Sequence, residues 1–194
     1  RIPDAHFFWE AKYNGTEVVT ISPEFTPTAM HSSKWLNIKP GTDTALAMAM
    51  VNTIIEEKLY DAAYIREQTD LPFLVREDNG EFLRAEDLNL VDMLAVRENV
   101  FYLWDQKTRR IVQAPGTGAA EAPVGRRRRK FETIALGNIE PALEGRWNVE
   151  TRTGKVTVTT VFALLKKRAA EHSPEKMSAE TGLNPNAMRT VARE

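Results

Sequence analysis

Between Glu17 and Lys58 the apolar pattern changes period several times. Glu17 to Ile21 is a short β-branched run bounded by turn residues, which predicts a buried parallel strand. Ser22-Pro23-Glu24 turns the chain. Thr26 reads as a helix N-cap with Pro27 at the first helical position, before a short helix through Ala29, Met30 and His31. Lys34 to Ile38 alternates and predicts a second strand, with Trp35 and Leu36 as its large apolar residues. Pro40-Gly41-Thr42-Asp43 turns again. Leu46, Ala47, Met50, Val51, Ile54 and Ile55 then recur at helical spacing and define one inward face.

The flanking pattern is less regular. His6 to Lys12 reads as a helix packing Phe7, Phe8, Trp9 and Tyr13 into a core, closed by Asn14-Gly15. Asp61 caps a helix to about Gln68. Phe73 to Arg76 predicts a strand, Asp78-Asn79-Gly80 a turn, and Phe82 to Arg84 a segment pairing back. Val100 to Trp104 and Ile111 to Gln113 predict an antiparallel hairpin, peripheral to the parallel unit. Arg146 to Thr151 and Lys155 to Thr159 form a second hairpin. Thr160, Ser173 and Asn184 each precede a helical pattern, with Met188 and Val191 on the inner side of the last one. The pattern predicts an α/β fold: a Rossmann-like parallel sheet with flanking helices, plus peripheral antiparallel hairpins. The predicted division is 1–112, a loop over 113–130, and 131–194 completing the domain. No repeat of about 20–50 residues occurs.

Composition narrows the classes. The chain has 194 residues, 42% hydrophobic and 27% charged, with a net charge of -1. A globally basic nucleic-acid binder does not fit that balance. With no cysteine, the chain cannot itself form disulfides or hold an iron–sulfur cluster through thiolates. No apolar run reaches the roughly 18–20 residues that span a bilayer, so no direct membrane insertion is expected. The chain opens on Arg1-Ile2-Pro3 and stops at Ala192-Arg193-Glu194 inside a helical pattern, which predicts a segment of a longer protein. Arg126-Arg127-Arg128-Arg129-Lys130 follows an Ala/Gly/Pro-rich stretch. It reads as a partner or phosphate patch, or as a solvated loop edge. The neutral chain and the lack of interleaved aromatics weigh against nucleic acid.

Candidate chemistry is concentrated in the two turns. No GxGxxG, Walker A, HExxH or GxSxG pattern is present, and His6, His31 and His172 lack ligand spacing. No catalytic or metal-ligating residue is therefore assigned. In open parallel sheets, ligands bind beyond the carboxyl ends of the strands. There Ser22 offers a hydroxyl, and Glu24 a carboxylate suited to ribose hydroxyls or an amino-purine edge. Gly41 allows close backbone approach, and Thr42 with the amides at the helix start can donate to a phosphate or carbonyl oxygen. Asp43 can accept two hydrogen bonds from a guanine. The alternative is a plain proline–glycine turn with an N-cap at Thr42 or Asp43. The residues alone leave both open.

The run ISPEFTPTAMHSSKWLNIKPGTDTALAMAMVNTIIEEKLYDAAYIREQTDLPFLV resembles an internal segment of the molybdopterin oxidoreductases of the dimethyl sulfoxide reductase family. That family's pattern is a strand ending in a polar residue and proline, a Thr/Ser-containing helix, then W-x-x-I-x-PGTD-x-ALA and a helix ending in Glu. The likeness is close over Val18 to Val75. RIPDAHFFWEAKYNG and PALEGRWNVET with GKVTVTTVFALLK also resemble it. The nearest subgroup holds the catalytic subunits of nitrate, selenate, chlorate and perchlorate reductases and of ethylbenzene and dimethyl sulfide dehydrogenases.

The resemblance implies a segment that helps hold a molybdenum bis(molybdopterin guanine dinucleotide) cofactor. Ser22, Pro23, Glu24, Thr26, Gly41, Thr42 and Asp43 would face the nucleotide, with Asp43 on the guanine. Ser33 stands where many relatives carry an acidic residue. The resemblance also implies an iron–sulfur cluster in the parent protein but not in this segment. Expected partners are the remaining domains of the parent chain and an iron–sulfur electron-transfer subunit. Chemistry would be oxyanion reduction or hydrocarbon or sulfide oxidation, with the segment alone inactive. The implied location is periplasmic, with the cytoplasmic face of the membrane as the alternative. Competing expectations are a non-catalytic interaction domain using Arg126 to Lys130, and a nucleotide-binding domain unrelated to molybdenum.

Overall fold

The structure is a computed structural model that describes residues 4–88, 100–117 and 134–194. In chain order the elements are α1 (Ala5–Tyr13), β1 (Val19–Ile21), α2 (Pro27–Met30), β2 (Lys34–Leu36), α3 (Asp43–Glu56), α4 (Ala62–Gln68) and β3 (Leu74–Arg76). They continue with β4 (Tyr102–Asp105), β5 (Arg110–Gln113), β6 (Arg146–Thr151), β7 (Gly154–Thr160), α5 (Val161–Ala170), α6 (Pro174–Thr181) and α7 (Pro185–Arg193). The fold is α/β. The chain forms two compact units, one of Arg1–Leu59 with Arg168–Glu194 and one of Tyr60–Lys167. This cuts across the division read from sequence, because the C-terminal helices return to the first unit.

In the first unit β1 and β2 pair in parallel, with Val19 opposite Lys34 and Ile21 opposite Leu36. The short α2 makes the crossover. Thr26 caps it by accepting from the Ala29 amide at 3.3 Å, and Pro27 sits at its start. The core joins Leu36, Ile38, Leu46, Ala49, Met177, Leu183 and Met188, so α6 and α7 pack on α3 and on the end of β2. Gly182, at φ 77°, ends α6 in the left-handed conformation. Asn184 then caps α7 by accepting from the Asn186 amide at 2.8 Å.

The buried face of α3 is rotated from the expected one. Leu46, Ala49, Asn52, Thr53 and Ile55 are buried, and Ala47 is exposed. Ala49 is a small residue at the contact with α6 and α7, which allows close helix approach. The Thr53 hydroxyl returns to the Ala49 carbonyl at 3.1 Å, and the Asn52 amide donates to Glu56 at 3.2 Å. Local hydrogen bonding satisfies Thr53 and the Asn52 side-chain N–H at these positions, while the buried Asn52 Oδ1 has no partner among the described residues.

The second unit contains a three-stranded antiparallel sheet, ordered β3-β7-β6, and the β4-β5 ladder. Val75 bridges Phe82 and the Leu83 amide donates to the Leu74 carbonyl at 2.8 Å, so the Phe82 to Arg84 segment pairs back as expected. The core here is Leu74, Leu83, Ala85, Val100, Tyr102, Val149 and Val158.

Two packing expectations are corrected. The α1 aromatics do not form a core: the helix has no buried residue, and Phe7 and Tyr13 are 63% and 82% exposed. With nine residues and apolar side chains spread around its axis, α1 lacks one continuous apolar face. β1 is not a buried strand, since Ile21 is 45% exposed and the parallel sheet has two strands among the described residues. The hairpin near 100–112 belongs to the second unit, outside the parallel pair, where Val100 and Tyr102 join the core. The Arg126 to Lys130 run lies outside the described residues.

Candidate functional site

The parallel register brings the two sequence-predicted turns to one end of the strand pair. Ile21 and Leu36 are partners at the carboxyl ends of β1 and β2, and the Ser22 amide extends the pairing by donating to the Leu36 carbonyl at 3.1 Å. Ser22-Pro23-Glu24 leaves directly from that point. Gly41-Thr42-Asp43 follows β2 after a short linker and opens α3.

The first turn is tied internally. The Ser22 hydroxyl donates to the Glu24 carbonyl at 2.9 Å and accepts from the Glu24 amide at 3.3 Å. The Trp35 indole N–H donates to the Ser22 carbonyl at 3.0 Å. Phe25 meets the Trp35 ring edge-on at a centroid distance of 4.9 Å, while remaining 59% exposed. Pro23 and Glu24 are exposed. Thr26 spends its hydroxyl oxygen on the α2 cap.

The second turn is anchored through Lys39. Its amide donates to the Thr181 carbonyl at 3.0 Å and its ammonium to the Ala179 carbonyl at 3.0 Å, both at the end of α6. Thr42 does not cap α3 with its side chain, as sequence allowed. Its hydroxyl instead donates to the Lys39 carbonyl at 2.7 Å. Gly41 has φ 80°, and a Cβ there would meet nothing within 4 Å. Its role is therefore conformational, and the space beside it is open. Asp43 is the first residue of α3, whose first-turn amides have no intrahelical acceptors.

These bonds separate the site residues by availability. The Ser22, Thr26 and Thr42 hydroxyls are engaged with backbone. Among the described residues the Glu24 and Asp43 carboxylates have no hydrogen-bond or ion-pair partner, and both residues are exposed. What remains for a ligand is two acceptors, the α3 amides and an open glycine backbone. Sequence reasoning missed Trp35, Lys39 and Thr181 as supports of the turns. An indole in a strand beside a turn, and a lysine just before PG, were the available signals.

Parallel strands whose carboxyl-end turns lead into helices define the α/β class that binds ligands at that edge. The chain belongs to the molybdopterin oxidoreductase family, whose model matches residues 1–187. It is 45% identical to the dimethylsulfide dehydrogenase subunit alpha of Rhodovulum sulfidophilum, over 99% of this chain and 19% of that protein. Identity to the chlorate reductase subunit alpha of Ideonella dechloratans is 44%, over 99% of this chain and 19% of the relative. The perchlorate reductase subunit alpha of Dechloromonas aromatica (strain RCB) is 42% identical, over 100% and 22% respectively. The chain thus spans about a fifth of the length of these curated relatives. The family implies a molybdenum–pterin cofactor. The donor set at the two turns fits a phosphate-bearing group: helix-start amides suit phosphate oxygens, and free carboxylates suit N–H and hydroxyl donors.

Proposed function

We propose that this chain holds the guanine nucleotide end of a molybdopterin guanine dinucleotide within the catalytic subunit of a molybdenum oxidoreductase. The observation that carries the reading is the parallel pairing of β1 with β2, which brings both polar turns to one sheet end. Asp43 accepts from the guanine N1–H and N2–H₂ groups. Glu24 accepts from ribose hydroxyls. The amides of the first α3 turn donate to phosphate oxygens, and Gly41 lets the backbone come close. Ser22 and Thr26 hold the first turn in shape. Thr42 and Lys39 do the same for the second.

When bound, the molybdenum centre would supply two-electron oxygen-atom chemistry, directed at an oxyanion or at an organic sulfide; similarity to chlorate and perchlorate reductase and dimethylsulfide dehydrogenase subunits supports this reading. This chain's residues bind and orient; they take no proton and touch no substrate. On this reading, residues outside the chain carry the substrate pocket, the metal ligand and the iron–sulfur clusters. An iron–sulfur subunit accepts or delivers electrons, and the assembly works in the periplasm.

The test is metal, pterin and guanine-nucleotide analysis of the full-length protein carrying Asp43→Ala. The expected result is a fall of about tenfold or more in bound guanine nucleotide at normal expression, on the scale of a lost bidentate contact. Unchanged cofactor content would refute the assignment of Asp43.

A further inference from the structure

The second unit contains a cleft of about 810 Å³ formed by β3, the turn before β6, and one face of α5. That size falls within the range of small-molecule sites. It is made entirely of residues from this unit and shares none with the β1/β2 turns. Its wall is apolar where Val75, Ala163 and Leu164 line it, and Leu164 is left 41% exposed there. Gly80 and Gly145 contribute backbone without side chains.

The charges around the cleft sum to zero but are unevenly placed, with two carboxylates on Arg76 and, among the described residues, none on Lys167. Arg76 is held by Asp78 at 2.7 Å and by Asp87. Arg146 is paired with Glu77, through Nε at 2.7 Å and through Nη2. Glu144 is neutralised by Lys166, with both carboxylate oxygens within 2.9 Å of the ammonium. Every carboxylate that lines the cleft is thereby matched. Lys167 also lines it, and among the described residues its ammonium has no carboxylate or hydrogen-bond partner. The cleft therefore offers an apolar wall and, among the described residues, one ammonium with no direct partner.

We infer that this cleft is a second binding site, for a small organic monoanion with an apolar body. Its carboxylate sits on the Lys167 ammonium and its hydrocarbon part lies against Val75, Ala163 and Leu164. Apart from Lys167 the charges around the cleft sum to -1, because Arg76 carries both Asp78 and Asp87 while Glu77 and Glu144 are matched one to one, and that disfavours a second negative charge on the ligand. Dianions and phosphates are therefore poorer occupants than monocarboxylates.

The probe is 4-phenylbutyrate, titrated calorimetrically into the full-length protein, with the uncharged 4-phenylbutyramide as control. The expected result is saturable binding of the acid, about five- to tenfold tighter than the amide, weakening as salt rises. Lys167→Met should abolish the preference for the acid while leaving amide binding unchanged. Leu164→Asp should weaken both. Equal affinity for acid and amide, or a preference that survives Lys167→Met, would overturn the proposal, as would no saturable binding at all. Cofactor content read in the same samples keeps this outcome distinct from failure of the Asp43 assignment.

Discussion

At the residue scale, Asp105 is the most strongly perturbed carboxylate among the described residues. It is buried at the end of β4. It accepts from the Glu140 amide at 3.0 Å and the Thr108 hydroxyl at 2.7 Å, and from the amides of Lys107 and Thr108 at 3.2 and 3.3 Å. The Glu140 amide contributes most to lowering its pKa from 3.8 to about 2, followed by the Thr108 hydroxyl. A carboxylate depressed in the folded state stabilises that state above its unfolded pKa and loses the contribution as pH falls through the folded one. The second unit should therefore loosen between about pH 4 and pH 2. Fluorescence of Trp104 and Trp147, stacked at 4.8 Å beside it, reports the change. Asp105→Asn should lose part of this acid dependence and lower stability at neutral pH. A variant with the wild-type acid profile would show that Asp105 does not organise the turn.

The same scale explains why part of the candidate site was legible. Ser22, Gly41 and Asp43 stand out because serine, glycine and aspartate have distinct hydrogen-bonding and backbone properties at turns. Whether a hydroxyl is free or spent is not a sequence property. Thr42 could cap α3 or fold back on Lys39, and only the geometry selects the second.

At the element scale, α7 is held to the first unit by two kinds of contact. Met188 is fully buried between α3 and α6 neighbours, while Arg193 makes a two-pronged pair with Glu57 at 2.6 and 2.7 Å near the surface. The Arg193 guanidinium lowers the Glu57 pKa, but exposed pairs are screened by water and salt. Burial should decide. Met188→Ala is expected to cost about 2–5 kcal/mol of local stability, on the scale of core truncations. Arg193→Ala should cost far less. Hydrogen exchange of the α3 and α7 amides in the full-length protein checks the ranking, and equal losses would reverse it. Helix limits were readable because caps and prolines mark them: Asp61, Asn184 and Pro185 behave as their chemistry suggests. Which face turns inward was harder. On α3, Asn52 and Thr53 are buried, Thr53 through a hydroxyl bond to the Ala49 carbonyl, and no apolar period reveals either.

At the scale of the whole molecule, the two compact units behave differently under sequence reading. The first carries the family's turn-and-strand pattern and its parallel pair was legible. The return of α6 and α7 onto α3 was not, because Arg168–Glu194 joins Arg1–Leu59 across an intervening unit. Long-range packing of that kind leaves no local period. The exposed aromatics of α1 illustrate the same point. An apolar residue signals a surface to be covered, but not what covers it.

The central claim is that the turns at Ser22-Pro23-Glu24 and Gly41-Thr42-Asp43 face the nucleotide of the cofactor. Hydrogen exchange of the full-length protein, compared with and without cofactor, tests it without any substitution. The expected result is slowed exchange at residues 22–26 and 41–45 in the loaded protein, with the β6–β7 hairpin unchanged. Equal exchange at both turns in the two forms would contradict it.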